Sequence, residues 1–444
     1  MKKSLMLLGL SILLLSSPAA AKKQQLLFPD GTPVDEWFLQ QELRRPETLG
    51  KCYNIADYGA VSSTEKVQTE LIQSVIERAA KDGGVVMIPE GIYKSGALHF
   101  RPGTHLYLAK GAVLLGSESI FDFPLCQTRI EGEICRYFPA LINAEGLDGF
   151  TICGEGTIDG NGSDYWRAFR LRRQWNPQCT NKDEMRPRLL YLAHCRNVQI
   201  AGVSLQNSPF WTCHCYQSDH VQLIGLRFFS PVRPIASASA DGIDMDACSN
   251  FLIRNCRFTV NDDAVCLKGG KGPWADRDST NGPCQNILIE DCLFDHTTGS
   301  CLTCGSESIH VRNVLMRNCQ VDGASHLLLL KLRPDTPQRY EYITVENVKG
   351  TCRRLFEAGS WRQFFNLKDR TDIPKSYASD INLLNLDIDC QRFVTARRND
   401  EEYELSGFVF RNIRVWADDT DHRQEAFHSV IFEKVTADLK PRTK

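Results

Sequence analysis

Apolar and polar positions alternate along this chain in short runs, and the runs repeat. A nine-residue pattern, apolar at its second, fourth, seventh and ninth positions, recurs at least eight times. The copies are NVQIAGVSL from Asn197, HVQLIGLRF from His220, NFLIRNCRF from Asn250, NILIEDCLF from Asn286, NVLMRNCQV from Asn313, YITVENVKG from Tyr342 (imperfect at its end), DINLLNLDI from Asp380 and GFVFRNIRV from Gly407. Each reads as two short strands, whose side chains alternate between faces, joined by a two-residue bend. Successive copies start 23 to 38 residues apart, which leaves chain after each for a third strand and a variable loop. Such a period predicts an all-β fold, a single right-handed parallel β-helix with one coil per copy.

Helical spacing appears in one place, Thr69 to Lys81 (TELIQSVIERAAK). An amphipathic helix there is expected to cap the open N-terminal end of the solenoid, whose edge strands otherwise invite aggregation. The segments from Val85, His105 and Gly149 fit the same strand plan, so residues 52–417 are expected to form one elongated domain. Residues 22–51 are polar and Pro-containing, a lead-in segment, and 418–444 form a C-terminal tail to which the pattern assigns no element. In front of these, Lys2 and Lys3, the apolar run Leu5 to Leu15 and Pro18-Ala19-Ala20-Ala21 read as a signal peptide over residues 1–21. The apolar run is shorter than the roughly 18 residues a membrane span needs. Export to the periplasm or the medium is the expectation, with no membrane attachment after cleavage.

Eighteen cysteines in an exported chain would ordinarily suggest disulfides. Many occupy columns where valine or leucine stands in other copies, so they read first as buried apolar thiols. Cys256, Cys292 and Cys319 share one column and are expected to stack inside the cylinder, with Asn255, Asp291 and Asn318 at the bend before them. Cys301-x-x-Cys304 lacks a second pair at zinc-site spacing, and on a strand its two side chains point to opposite faces. The formal net charge of -2 carries no basic excess of the kind nucleic-acid binding requires.

Asp241 and Asp262 lie 21 residues apart, close to one minimal coil. Neighbouring coils are about 4.8 Å apart, so the segments 240–244 and 261–265 are expected side by side, crowding three or four carboxylates together. Like charges raise one another's pKa, and glycoside hydrolysis needs one carboxyl kept protonated and another ionised. A turn-forming acidic pair or a calcium site is the alternative reading of the same residues.

The run SADGIDMDACSNFLIRNCRFTVNDDAVCLK, Ser239 to Lys268, resembles glycoside hydrolase family 28, the polygalacturonases, whose marks are N-T-D, G/Q-D-D, G-H-G and R-I-K on successive coils. The segments 57–60, 83–89, 154–160 and 207–211 are also similar to that family, and the resemblance covers about residues 52 to 350. It implies hydrolysis of an α-linked galacturonic-acid-containing polysaccharide with inversion, Asp262 as general acid, and Asp241 with Asp263 as the pair that activates water. Carboxylates themselves suffice for acid and base chemistry, so no metal and no other cofactor is expected. The marks also depart from the family. Ser239-Ala240-Asp241 lacks the asparagine, Ser300 stands at the histidine, and Leu329-Leu330-Lys331 keeps the lysine without the arginine. Exo action or a rhamnogalacturonan-type linkage therefore becomes more attractive than internal cleavage of polygalacturonate.

Further candidates for the substrate site are Lys268 and Lys331 as partners of a uronate, Asp244, Ser300, and Arg333 and His326 beside Lys331, with His296 ahead of the altered mark; Arg333, His326 and His296 read equally as solvated or cap residues. The loop Gly269 to Cys284 is too rich in Gly, Pro and Asp for a strand and is expected to form a cleft wall, with Trp274 either stacking on a sugar ring or packing the loop against the cylinder. Two other classes remain open on the sequence: a non-catalytic carbohydrate-binding β-helix, and a polysaccharide lyase on the same architecture. Oligomeric state is not legible in it.

Overall fold

The structure, a computed structural model, describes residues 25–440; the signal peptide read at residues 1–21 lies outside them. The chain winds into a right-handed parallel β-helix, in which nearly every strand pairs in parallel with the equivalent strand of the next coil. One ladder runs through Leu190–Ala193, Cys213–Tyr216, Ile243–Asp246, Val265–Lys268, Ser300–Cys304 and Gln320–Leu332. The nine-residue copies form the two neighbouring ladders.

Interior positions alternate with outward ones. Phe228, Phe258 and Phe294 stack ring on ring at 4.7 and 5.2 Å inside the cylinder. Cys256, Cys292 and Cys319 are buried in a column beside them, and among all eighteen thiols none is in a disulfide. Each buried Phe contributes about 1.5–3 kcal/mol relative to exposure, which is how a coil of few residues holds its neighbours. The bends demand left-handed backbone. Asn255, Asp291 and Asn318 have φ of 55°, 57° and 56°. Asn and Asp tolerate that region better than other side chains with a Cβ. Farther along, the same column continues as hydrogen-bonded amides, Asn347 to Asn318 at 3.1 Å and Asn385 to Asn347 at 3.1 Å.

The helix Thr69–Asp82 caps the N-terminal end and buries Ile72, Val75, Ile76 and Ala79. Three features differ from the sequence reading. A second long helix, Ser163–Trp175, was not expected, because its apolar residues Tyr165, Trp166 and Phe169 are too few to set a period. The lead-in segment is docked: Phe28, Val34 and Phe38 cover the outward Leu252, Leu288 and Leu315, while Asp30 pairs with Arg312 at 3.1 Å. The tail supplies a further strand, Val430–Leu439, paired in parallel with Tyr403–Asp419, so the ladder continues past residue 417. Among the described residues no helix is long and apolar enough to cross a membrane.

Candidate active site

The strand register brings the acids together, offset by one residue from the spacing argument. Ile243 pairs with Val265, and the Gly242 N–H donates to the Asp263 carbonyl at 3.0 Å. Asp241 therefore lies against Asp263, 22 residues away, with Asp262 one position upstream. All three line a cleft of about 680 Å³ together with Lys268, Lys331, Trp211, Glu307 and Trp361. The coils approach so closely here that two glycines are required. A Cβ on Gly299 would lie 2.3 Å from the Asp263 nitrogen and 2.4 Å from the Asp262 carbonyl carbon, and one on Gly242 would lie 2.5 Å from the Ala264 oxygen. Gly299→Ala is expected to displace Asp262 and Asp263, lowering kcat with a loss of stability of about 1–3 kcal/mol from overpacking. Parallel measurement of kcat and Tm checks this; an unchanged kcat would show that the acids do not depend on the contact.

The three carboxyls sit in different fields. Asp263 is drawn upward by burial, but the Lys331 ammonium, 2.7 Å from Oδ2, and the Ser300 N–H, 2.8 Å from Oδ1, outweigh it and bring the group from 3.8 to about 2. Asp262, half-buried at the cleft, is pushed well up by burial, then by Asp241 and Asp263. Asp241 is also pushed well up, by burial and then by Asp244. Of the three, Asp263 is the carboxyl whose partners outweigh burial.

The other candidates divide. Lys268 lies on the cleft wall, its Nζ 3.0 Å from Glu307, 3.4 Å from Asp244 and 4.6 Å from the centre of the Trp211 ring. Asp244 is fully buried beneath it, outside the cleft lining, and burial raises its carboxyl to about 7 against the pull of Lys268. Ser300 is likewise buried and outside the lining. Its N–H orients Asp263, and its hydroxyl meets His326 Nδ1 at 3.3 Å, so an imidazole from the next coil backs the place where the family mark has its histidine. Neither Asp244 nor Ser300 is placed to touch substrate. Arg333 lines the cleft but is spent on Asp335, at 2.8 Å through two nitrogens, and on the Gln363 carbonyl at 2.9 Å, so it braces the cleft loop.

Trp274 is not in the cleft. Its Nε1 donates to Asp369 at 2.9 Å and its ring packs under Arg277 and Arg370. The loop Gly269–Cys284 holds up a different wall, the antiparallel hairpin Cys126–Ile130 and Glu133–Tyr137. Arg129 of that hairpin is fully buried on Asp246 at 2.9 Å and donates to Asn281 at 2.6 Å. The tip residue Glu131 lines the cleft, whereas Cys126, Gln127 and Thr128 line a separate cavity with Asn143 and Tyr191 on coils nearer the N-terminus. The hairpin thus closes the N-terminal end of the cleft. Sequence reasoning also missed Arg170 and Arg173, on the cleft side of the helix Ser163–Trp175. Among the described residues neither has a carboxylate partner within 4.0 Å; Arg170 donates to the Ala236 and Ser237 carbonyls and keeps its charge uncompensated. The basic run RLRRQ was the available signal. His296 is exposed, on Asp295 at 2.6 Å, outside the cleft.

Asp241, Asp244 and Cys266 bring potential metal-ligating atoms within 4.8 Å of one another. Lys268 already supplies the positive charge at that point, through Asp244.

A carboxyl driven towards its neutral form beside one held ionised is the pair that glycoside hydrolysis uses. The family model of glycosyl hydrolases family 28 matches residues 113–351, more than half of the chain, and the chain belongs to that family. A probable polygalacturonase of Vitis vinifera is 26% identical over 284 residues, covering 60% of this chain and 55% of the relative. An exo-poly-alpha-D-galacturonosidase of Dickeya chrysanthemi is 24% identical over 310 residues, 60% of this chain and 50% of the relative. The chain spans about half the length of the curated relatives it matches. In fold it is similar to a hyperthermoactive exopolygalacturonase from Thermotoga maritima, with a TM-score of 0.69 and 21% identity over 88% of this chain and 90% of that one. The family 28 exopolygalacturonase of Yersinia enterocolitica gives a TM-score of 0.67 at 19% identity, over 88% of this chain and 79% of that one.

Proposed function

We propose that this protein hydrolyses α-linked galacturonides from a chain end, with inversion, Asp262 protonating the leaving oxygen and Asp263 with Asp241 activating water. The observation that carries the reading is the opposed tuning of neighbouring carboxyls: Asp262 pushed up, Asp263 held down by Lys331. The hairpin supports action at an end, because a polymer entering the cleft meets its tip residue Glu131, on a hairpin anchored beneath by the buried Arg129–Asp246 pair. Arg170 and Arg173 are the cations left over for a uronate, since Lys331 and Lys268 already face carboxylates. Those two lysines also weigh against a lyase. Burial works to lower each, but Asp263 at Lys331 and Glu307 with Asp244 at Lys268 outweigh it and leave both well above the ordinary lysine value, ammonium groups unable to abstract a proton. A binding module would have no use for acids so crowded against an acidic glycan.

Export through the signal peptide read at residues 1–21 belongs to the same proposal, as does the absence of a metal requirement. The test incubates EDTA-treated protein from the extracytoplasmic fraction with polygalacturonate, rhamnogalacturonan and defined oligogalacturonides. Galacturonate monomer from the first and third is expected, its β anomer appearing first by NMR. A ladder of oligomers would remove exo action, product from rhamnogalacturonan alone would move the linkage, unsaturated uronides would replace hydrolysis by elimination, and loss of activity restored by calcium would introduce a metal.

A further inference from the structure

Because the hairpin closes the N-terminal end of the cleft, the rest of a bound polymer has to leave over the C-terminal coils. The outward row of the catalytic ladder can be followed in that direction. Asp246 pairs with Lys268, Lys331 pairs with Gly359, and Glu357 pairs with Thr395, which by alternation sets Arg397 beyond Gly359 in the same row. Lys331 and Arg397 are thus two strands apart, about 9.6 Å at a strand spacing of about 4.8 Å. Between them the floor is open: a Cβ on Gly359 would meet nothing within 4 Å.

At this place lies a second groove, of about 770 Å³, with four arginines, Arg392, Arg397, Arg398 and Arg423, against two acids, Asp419 and Glu425. Arg398 is matched by Asp400 at 2.8 Å and Arg423 by Asp419 and Asp421 at 3.0 and 2.8 Å. Among the described residues Arg392 and Arg397 have no carboxylate within 4.0 Å, and both are exposed. The groove abuts the catalytic cleft: Ala358, Gly359 and Ser360 line the one, and Trp361 lines the other.

We propose that this groove is a remote subsite for an acidic sugar, in which Arg397, with Arg392 behind it, binds the carboxylate of a uronate in the part of the chain that trails out of the catalytic cleft. The inference rests on the galacturonide reading for its substrate class, but the groove and its arginines stand independently of the chemistry in the cleft. A guanidinium suits a carboxylate through two parallel N–H donors, and such charge-assisted pairs are about twice as strong as neutral ones. Between the two basic points a neutral stretch, Gly359, lets the sugar backbone pass.

The test compares the wild type with Arg397→Ala, Arg397→Lys and Gly359→Leu on digalacturonate and hexagalacturonate. For Arg397→Ala the KM for the hexamer is expected to rise about tenfold, with kcat on both lengths and the KM for the dimer unchanged. Arg397→Lys should recover part of the loss, and Gly359→Leu should reproduce it by blocking the passage. Equal changes on dimer and hexamer, or none, would overturn the subsite. Calorimetric binding of both oligomers to the same proteins separates the two proposals. If the wild type turns neither over, the galacturonidase reading fails, while the subsite stands or falls on whether Arg397→Ala loses affinity for the hexamer alone.

Discussion

Replacing Asp262 by Asn is expected to lower kcat on a galacturonide by about 10²- to 10⁴-fold with little change in KM, the span associated with loss of one general acid. The substitution keeps the size of the side chain and removes the transferable proton. Asp262 is the group that burial, Asp241 and Asp263 together push towards the protonated form. An aryl galacturonide with a good leaving group needs little protonation, so it should restore most of the loss in Asp262→Asn and little of that in Asp263→Asn. Equal rescue of both, or wild-type turnover of the natural glycan by Asp262→Asn, would sink the assignment.

The same substitution has an opposite effect on stability. A carboxyl whose folded pKa is raised is more easily ionised in the unfolded chain, so it costs stability once the pH rises above its unfolded value and progressively more up to its folded one. Asn removes that cost. Asp262→Asn is therefore expected to melt higher than the wild type at pH 7, and the gap should narrow as the pH falls through about 4 and close below about 3, where the aspartate carries its proton in both states. A variant that loses most of its turnover while gaining Tm cannot be explained by damage to the fold.

The solenoid was open to reading because its physics is local. Each coil repeats one pattern of faces, and the bend column at Asn255, Asp291 and Asn318 shows in the chemistry of side chains that tolerate left-handed backbone. The acid cluster was legible for the same reason: coil length nearly fixes register, and the one-residue offset that sets Asp241 against Asp263 does not take any acid out of the cleft. What the sequence did not disclose depends on loops between coils. The Arg129–Asp246 pair joins residues 117 apart through a hairpin whose apolar pattern resembles any other strand pair. Loop composition at Gly269–Cys284 announced an excursion from the cylinder but not its direction, so it left Trp274 open between a sugar ring and loop packing, and the structure has the packing. Asp244 and Ser300 failed as substrate contacts for a further reason: Asp244 is outward on its strand but covered, Ser300 shares the interior parity of Leu302, and both are fully buried.

The second large effect is expected at Lys331, which the proposed mechanism uses to keep Asp263 ionised. In Lys331→Met the ammonium 2.7 Å from Asp263 is gone, and the donors that remain on the carboxyl are the Ser300 N–H at 2.8 Å and the weaker Cys266 thiol at 3.8 Å. Burial then raises the carboxyl, the base is protonated over a wider range, and the acidic limb of kcat/KM should move up by at least about one pH unit, which lowers turnover about tenfold on the acid side of the wild-type limb. Stability should fall by about 3–5 kcal/mol, as when one partner of a buried pair is removed. The sign of its pH dependence follows from both partners. Asp263, lowered from 3.8 to about 2, contributes stability that is present above about pH 4 and lost as the pH falls through 2. Lys331, raised above 10.5, contributes stability that is full below that value and lost only above it. The Tm difference between wild type and Lys331→Met should accordingly be flat from about pH 4 to 10 and shrink on the acid side. Lys331→Arg keeps the charge and should return the acidic limb towards its wild-type position. A Lys331→Met profile that overlays the wild type, with only KM raised, would make Lys331 a substrate ligand and leave Asp263 to be held ionised by other means.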